Sequence, residues 1–100
     1  MSRNLNKVIL IGNAGRDPDL RETASGKKVA HISLATSRRV GRGDESEQRT
    51  DWHRLTFWDG LAEIVAEHVR RGDRLYVEGR LDYDSFERNG VTIPTSEIVV

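Results

Sequence analysis

The chain has 100 residues, no cysteine and a formal net charge of zero, with 16 basic and 16 acidic residues. This length suits one domain with a modest core, here taken as residues 1–100, and the lack of cysteine excludes disulfides and thiolate metal sites. The sequence has no apolar stretch near the ~20 residues that span a bilayer, and its start, MSRNLNK, lacks the apolar core of a signal peptide. We therefore expect a cytoplasmic protein without a membrane partner.

The charge is unevenly distributed along the chain. Residues 1–50 contain 10 Lys/Arg and 6 Asp/Glu, whereas residues 51–100 contain 6 and 10. The total charge therefore does not indicate a polyanionic partner, and local charge has to decide that question.

Two strands are predicted before residue 40. The segment 6–13 (NKVILIGN) is apolar on both faces, which is typical of a strand that lies in a barrel and also against a partner subunit. Gly12, Gly15 and the pair Asp17-Pro18 then predict a loop. A turn at residues 25–28 is predicted to lead into a second strand over residues 29–37. Residues 38–50 have Val40 as their one large apolar residue and are predicted to form a long mobile hairpin loop.

The segment 51–58 (DWHRLTFW) predicts a third strand whose two faces differ in chemistry. The face with Leu55 and Phe57, which also carries His53, suits a core. The opposite face combines aromatic rings, a guanidinium and a hydroxyl: Trp52, Arg54, Thr56 and Trp58. Such a face suits a flat anionic ligand such as an unpaired nucleotide, although burial under a helix or at a subunit contact would also explain the tryptophans.

The periodicity changes after Trp58. Leu61, Ile64, Val65 and Val69 recur at helical spacing and predict a short amphipathic helix. We expect Asp59 to cap its start, and the basic pair at 70–71 followed by glycine to mark its end. Residues 74–86 predict a strand, 88–90 (RNG) a hairpin turn and 91–100 a last strand.

This order of elements predicts a mainly β protein. Three strands, one helix and two strands match the five-stranded Greek-key barrel of the oligonucleotide/oligosaccharide-binding (OB) fold, with the helix between strands 3 and 4. A small α+β sandwich has similar elements. The OB barrel is favoured because it presents its second and third strands to the ligand, and the Trp-Arg-Thr-Trp face lies on the third.

Five segments, in order, resemble the bacterial single-stranded DNA-binding proteins. They are NKVILIGNAGRDPDLR, SGKKVAHISLAT, DWHRLTFWDGLAE, RRGDRLYVEGRL and TSEIVV, and they extend over nearly the whole chain. The resemblance implies a nucleoid-associated OB-fold homotetramer, or a dimer, that binds single-stranded DNA without catalysis or cofactor during replication, recombination and repair. The family's acidic, hydrophobic tail tip, which recruits replication and repair proteins, is not among these residues, so such partners are expected only if the chain continues beyond Val100.

The resemblance also implies roles for individual residues. The stacking aromatics of the family fall on Trp52, Trp58 and Phe86, while Val40 stands where many members have a further tryptophan. Gly60 replaces a frequent lysine, and Asp82 and Asp84 stand where basic residues are usual, which puts the affinity in doubt. Subunit contacts are implied for Lys7, Ile9, His53 and Tyr76.

Phosphate contacts are expected from basic side chains near the predicted face. The candidates are Arg3, Lys7, Arg21, Arg38, Arg39, Arg42, Arg54 and Arg80. Arg54 is the strongest single candidate, because it shares a face with Trp52. For the loop arginines, a solvated loop balanced by neighbouring carboxylates is a nearly equal explanation.

Two alternative functions stay open at this point. One is a primosome-type relative of the same fold that acts mainly through protein contacts. The other is a small hydrolase that uses Asp51 and His53, although no nucleophile motif accompanies them. The three histidines, 31, 53 and 68, have no metal-ligand spacing, and the segment 12–15 (GNAG) lacks the Lys-Ser/Thr of a phosphate-binding loop.

Overall fold

The computed structural model describes residues 3–100, so the first two residues of the predicted domain lie outside the described part. Its elements in chain order are β1 Val8–Ala14, β2 Asp19–Glu22, β3 Lys28–Val40, a 3-10 turn at Gly43–Glu45, β4 Glu47–Trp58, α1 Asp59–His68, β5 Arg74–Arg88 and β6 Val91–Val99. Within these residues, no helix is long and apolar enough to cross a membrane.

Five of the strands close into a barrel. β1 pairs antiparallel with β5, β5 with β6, and β3 with β4, while a short parallel pairing joins β6 to β4. The ring closes where Asn13 and Ala14 of β1 pair with Ala35 and Leu34 of β3. The predicted five-stranded OB barrel is therefore confirmed.

A sixth strand, β2, was missed by the sequence analysis, which predicted a loop there. β2 pairs with residues 28–31 of β3, along the same edge that β1 occupies further on. Its four residues (DLRE) are too few and too polar to show the alternation of a strand. Because of β2, the helix follows the fourth strand in chain order, not the third, while the barrel itself is unchanged.

The hairpin between β3 and β4 is longer than predicted. Pairing continues to Val40 opposite Glu47, so the connection is residues 41–46 and not the whole of 38–50. This extension is held by backbone hydrogen bonds. Its side chains are mostly polar, so the sequence shows no alternation of apolar and polar residues from which the strands could be predicted. The predicted turn between β5 and β6 is confirmed: Asn89 and Gly90 both have positive φ, at 52° and 76°, as a two-residue primed turn requires.

The core lies inside the barrel and is sealed by α1. Its largest fully buried apolar side chains, Ile32, Leu34 and Leu55, come from the neighbouring strands β3 and β4. On α1 the buried residues are Ala62 and Val65.

The predicted helix is confirmed, but the prediction for its first residue was wrong. Asp59 does not cap the start: Trp58 occupies the N-cap position, without a side-chain hydrogen bond. Asp59 is instead the first helical residue, with φ at 55°.

The basic pair marks the end of α1, as predicted. The helix ends at His68, and the Arg70 guanidinium donates to the carbonyls of Ala66 and Val69. Leu61 and Ile64 are exposed, because the helix turns its smaller residues inward.

Barrel closure requires a residue without a side chain at position 12. A Cβ built on Gly12 would press into the carbonyl oxygen of Ala35 and reach 3.1 Å from Leu34 Cγ. The next residue, Asn13, pairs with β5 on one side and with Ala35 of β3 on the other, so the backbones of β1 and β3 have no room for a methyl group between them.

We predict that Gly12→Ala lowers the free energy of unfolding by about 1–3 kcal/mol, because the added methyl group overpacks the junction of β1 and β3. Gly60→Ala is the matched control: a Cβ at Gly60 meets nothing within 4 Å, so in α1 it should be neutral or stabilise by up to about 1 kcal/mol. Urea denaturation measures both. Equal stability of the two variants would contradict the role of Gly12.

Candidate nucleic-acid interface

The outward face of β4 presents the predicted aromatic and basic side chains. Trp52 is 61% exposed and Trp58 39% exposed, and Arg54 lies exposed between them along the strand. Thr56 corrects the prediction of one continuous open face, because it is only 1% exposed. The buried Thr56 therefore interrupts the exposed face between Arg54 and Trp58.

Two polar side chains cover Thr56. Its hydroxyl donates to Glu97 Oε2 of β6 at 2.8 Å, and His31 Nδ1 of β3 lies 3.3 Å from the same oxygen. An ionised carboxylate only accepts, so the single hydroxyl proton belongs to the Glu97 bond and the oxygen accepts from Nδ1–H of His31. This small network links three strands and fixes the Glu97 side chain at the surface.

Trp52 rests on the backbone of Gly15. A Cβ built on Gly15 would lie 2.9 Å from Cη2 of the indole and closer still to Cζ3. The glycine is itself held to β3, because its N–H donates to the carbonyl of Ser33 at 2.8 Å. One side of the indole is therefore supported while much of the ring stays open to solvent. Gly15 was predicted only as a loop residue, and its contact with Trp52 was not predicted.

Three surface grooves meet at Arg54. The basic groove, of about 500 Å³, runs past Arg16, Asp19, Arg21, His31 and Arg54. The acidic groove, of about 280 Å³, is lined by Arg54, Asp82, Asp84, Phe86, Thr95 and Glu97. The central groove, of about 210 Å³, contains Trp52, His53, Arg54, Leu81, Glu97 and Ile98. Since Arg54 lines all three grooves, it lies at the centre of this face.

Several of the predicted DNA-binding residues lie along these grooves, together with one basic residue that was not predicted. Arg21, Arg54 and the stacking candidate Phe86, which is 49% exposed, lie along them. Arg16 also lies on the basic groove but was not among the predicted phosphate ligands. Arg16 lies in the connection between β1 and β2, and it lines the groove together with Asp19 and Arg21 of β2, a strand that was not predicted.

Several candidate cations already have acidic neighbours. The ion pairs are Lys7–Glu78 at 3.9 Å, Arg21–Asp19 at 3.1 Å, Arg38–Asp51 at 2.9 Å and Arg80–Asp82 at 3.0 Å. Exposed pairs of this kind stabilise a protein by at most ~1 kcal/mol, so a phosphate could displace the carboxylate at small cost. Arg54 differs from them, because no carboxylate of residues 3–100 lies within ion-pair distance of it.

The arginines of the β3–β4 hairpin lie away from Arg54. Arg38 and Arg39 are part of β3 and line a separate shallow groove with Ser37 and Gln48. Arg42 occupies the N-cap position of the 3-10 turn, and Arg39 donates to Ser46 Oγ at 3.3 Å. These side chains therefore follow the extended hairpin, while Arg3 is an exposed residue ahead of β1.

The histidines have separate structural partners. His53 Nε2 lies 2.8 Å from the hydroxyl of Thr36, and Asp51 accepts from Arg38. Among the described residues no hydrogen bond joins Asp51 to His53, so the pair needed for the hydrolase alternative is not assembled. No group of three or more possible metal ligands is found among residues 3–100.

An apolar patch lies on the outer surface of β1 and β5. Ile9 and Ile11 are each 53% exposed and Tyr76, directly opposite Ile11, is 59% exposed. The Tyr76 hydroxyl donates to Glu78 at 2.6 Å, and this hydrogen bond raises the pKa of the phenol. Two of the four predicted subunit-contact residues, Ile9 and Tyr76, form part of this patch. Lys7 is paired with Glu78 beside it, whereas His53 lies on β4.

Comparison with known proteins identifies a family. The family model described as "Single-strand binding protein family" matches residues 5–100. Among curated proteins, a single-stranded DNA-binding protein of Xanthomonas axonopodis pv. citri is 45% identical over 99% of this chain. Single-stranded DNA-binding protein 1 of Chlorobaculum tepidum is 47% identical over 89% of the chain. The matched region makes up 56% of the length of each of these two relatives.

A solved structure supports the same relationship. The Plasmodium falciparum SSB in complex with single-stranded DNA superimposes with a TM-score of 0.89 at 34% sequence identity. The match covers 100% of this chain and 89% of the other. At this identity the likeness extends beyond the general architecture of the barrel.

We predict that Gly15→Ala changes the emission of Trp52, because a methyl group cannot fit beneath the indole. In a Trp58→Phe background, which leaves Trp52 as the single tryptophan, the variant should show altered acrylamide quenching and a lower fluorescence anisotropy. Gly60→Ala in the same background serves as the control. Identical emission from the two glycine variants would refute the supporting role of Gly15.

Proposed function

The chain belongs to the single-strand binding protein family, and from this premise we propose that it binds single-stranded DNA with little regard to sequence. The observation that carries the proposal is the arrangement of exposed aromatic rings around an arginine that forms no ion pair with a carboxylate of residues 3–100. Trp52, Trp58 and Phe86 supply the rings, and Arg54 lies where the three grooves meet.

The rings would bind bases by stacking. Each stacked base contributes about 1–3 kcal/mol, and every base has a π-face, which makes this term tolerant of sequence. Trp52 and Trp58 are six residues apart on β4, or roughly 20 Å along an extended strand. They therefore suit different nucleotides of one strand that crosses the barrel.

Arginine and lysine side chains would neutralise phosphates and make the affinity depend on salt. We assign Arg54 the central contact. The other proposed contacts are Arg3, Lys7, Arg21, Arg38, Arg39, Arg42 and Arg80, and Arg16 joins them on the basic groove.

The relatives support this proposal by name and by structure. The curated proteins are named for single-stranded DNA binding, and the P. falciparum protein was solved with single-stranded DNA. We extend it to protection of single strands in replication, recombination and repair, at the nucleoid, without a catalytic step or cofactor. One OB-fold domain over residues 1–100 would carry the binding.

We also propose that a second copy of the chain covers the patch on β1 and β5, as a step towards a homotetramer. Ile9, Ile11 and Tyr76 are large, adjacent and solvent-exposed, and contiguous apolar patches of this kind mark interaction sites. Lys7 and Glu78 border the patch and supply one charge of each sign, which suits a two-fold contact. His53 stays a predicted contact in a further interface.

The direct test is a titration with oligo-dT followed by tryptophan fluorescence. Stacked bases should quench the emission strongly, duplex DNA should not, and the affinity should fall as salt rises. Unchanged emission at saturating oligo-dT would overturn the proposal.

Two alanine variants distinguish the contribution of base stacking to the affinity from that of the positive charge on the β3–β4 hairpin. We predict that Trp52→Ala weakens oligo-dT binding about tenfold, since it removes a stacking platform. Arg42→Ala, on the distant 3-10 turn, should weaken binding less than Trp52→Ala does and chiefly reduce the salt dependence. Fluorescence anisotropy of labelled oligo-dT measures both affinities, and a larger loss for Arg42→Ala would contradict the stacking model.

The oligomer is tested by two matched substitutions. Ile9→Asp should lower the mass measured by light scattering, because it places a charge in the proposed contact. Ile64→Asp is the control, since Ile64 is equally large and 56% exposed but lies on α1. A wild-type mass equal to one chain, or an unchanged mass for Ile9→Asp, would contradict the proposed interface.

A further inference from the structure

The grooves on the two sides of Arg54 have opposite charge. The basic groove has Arg16, Arg21 and His31 on its walls, with Asp19 as its acidic residue. The acidic groove has three carboxylates, from Asp82, Asp84 and Glu97, against the shared Arg54. A phosphodiester would be attracted to the basic groove and repelled by the acidic one.

A nucleotide has a second part that suits the acidic groove. Its base is uncharged and can carry an amino group, which donates hydrogen bonds to a carboxylate. Phe86 lines the same groove and offers a ring for stacking, so the groove combines a base platform with acceptors. A strand that crosses at Arg54 would therefore place phosphate on one side and a base on the other.

Glu97 is the carboxylate best fixed for this contact. Its Oε2 accepts from the hydroxyl of Thr56, which is 1% exposed and so holds the side chain from beneath. The other two carboxylates have exposed partners instead of a buried one. Asp82 is paired with the exposed side chain of Arg80, and Asp84 accepts from the backbone N–H of the next residue, Ser85. An ionised carboxylate has about four acceptor positions, so Glu97 keeps free ones for a ligand.

We propose that Glu97 is a specificity residue that accepts a hydrogen bond from the amino group of a base in the acidic groove. This inference rests on the proposed binding of single-stranded DNA and adds a modest base preference to it. Cytosine donates from its N4 amino group, whereas thymine presents the O4 carbonyl at the equivalent position, where a carboxylate repels it. The two bases are pyrimidines of similar size, so stacking on Phe86 distinguishes them little.

The test compares Kd values for oligo-dC and oligo-dT of about 15 nucleotides, a length that fills one OB fold. Glu97→Gln keeps the shape of the side chain, but its amide both donates and accepts and so serves either base. The ratio of Kd for dT to Kd for dC should fall about fivefold in this variant. Glu87→Gln, on the same hairpin but outside the groove, removes an equal charge and should leave the ratio unchanged.

A second variant, Thr56→Val, keeps the charge of Glu97 and removes the hydroxyl that holds it. It should also lower the ratio, and it decides the question if Glu97→Gln does not fold. An unchanged ratio in a folded Glu97→Gln, or the same fall in Glu87→Gln, would overturn the inference while leaving oligo-dT binding intact. Failure of the wild-type chain to bind either oligonucleotide would instead overturn the proposed function, and this inference with it.

Discussion

The close approach of the β1 end to β3 is the constraint on which both the barrel and its ligand face depend. Gly12 allows the backbones to meet at Ala35, which closes the ring of strands. Three residues later, Gly15 supports the indole of Trp52 from the same side of β3. One short segment with a glycine at each end therefore fixes the fold and orients a proposed stacking platform.

Arg54 gives this face its electrostatic organisation. Its cross-strand neighbour on β3 is Ser33, whose small side chain leaves the guanidinium room to reach all three grooves. The chain has no net charge, yet it separates positive and negative side chains on the two sides of this residue. Such a surface can bind a polyanion and still place carboxylates beside it, provided that phosphates and bases take different grooves.

The sequence predicted what side-chain alternation and family segments encode, and missed what backbone contacts decide. The burial of Leu55 and Phe57 and the exposure of Trp52, Arg54 and Trp58 on β4 follow from period-two alternation. Thr56 broke that rule because His31 and Glu97 cover it, a contact between three strands that no local pattern shows. β2 was missed because a four-residue polar strand is stabilised only by its pairing with β3. The contact between Trp52 and Gly15 was likewise not predicted, because it joins residues that are far apart in the sequence.

The most direct test of this account is ultraviolet crosslinking of the whole chain to oligo-dT, with the linked residues identified by mass spectrometry. Aromatic rings that stack on bases lie close enough to crosslink, so the positions of the links report the path of the strand. The account predicts links at Trp52, Trp58 and Phe86, around Arg54. Links confined to Tyr76, on the outer surface of β1 and β5, would contradict it.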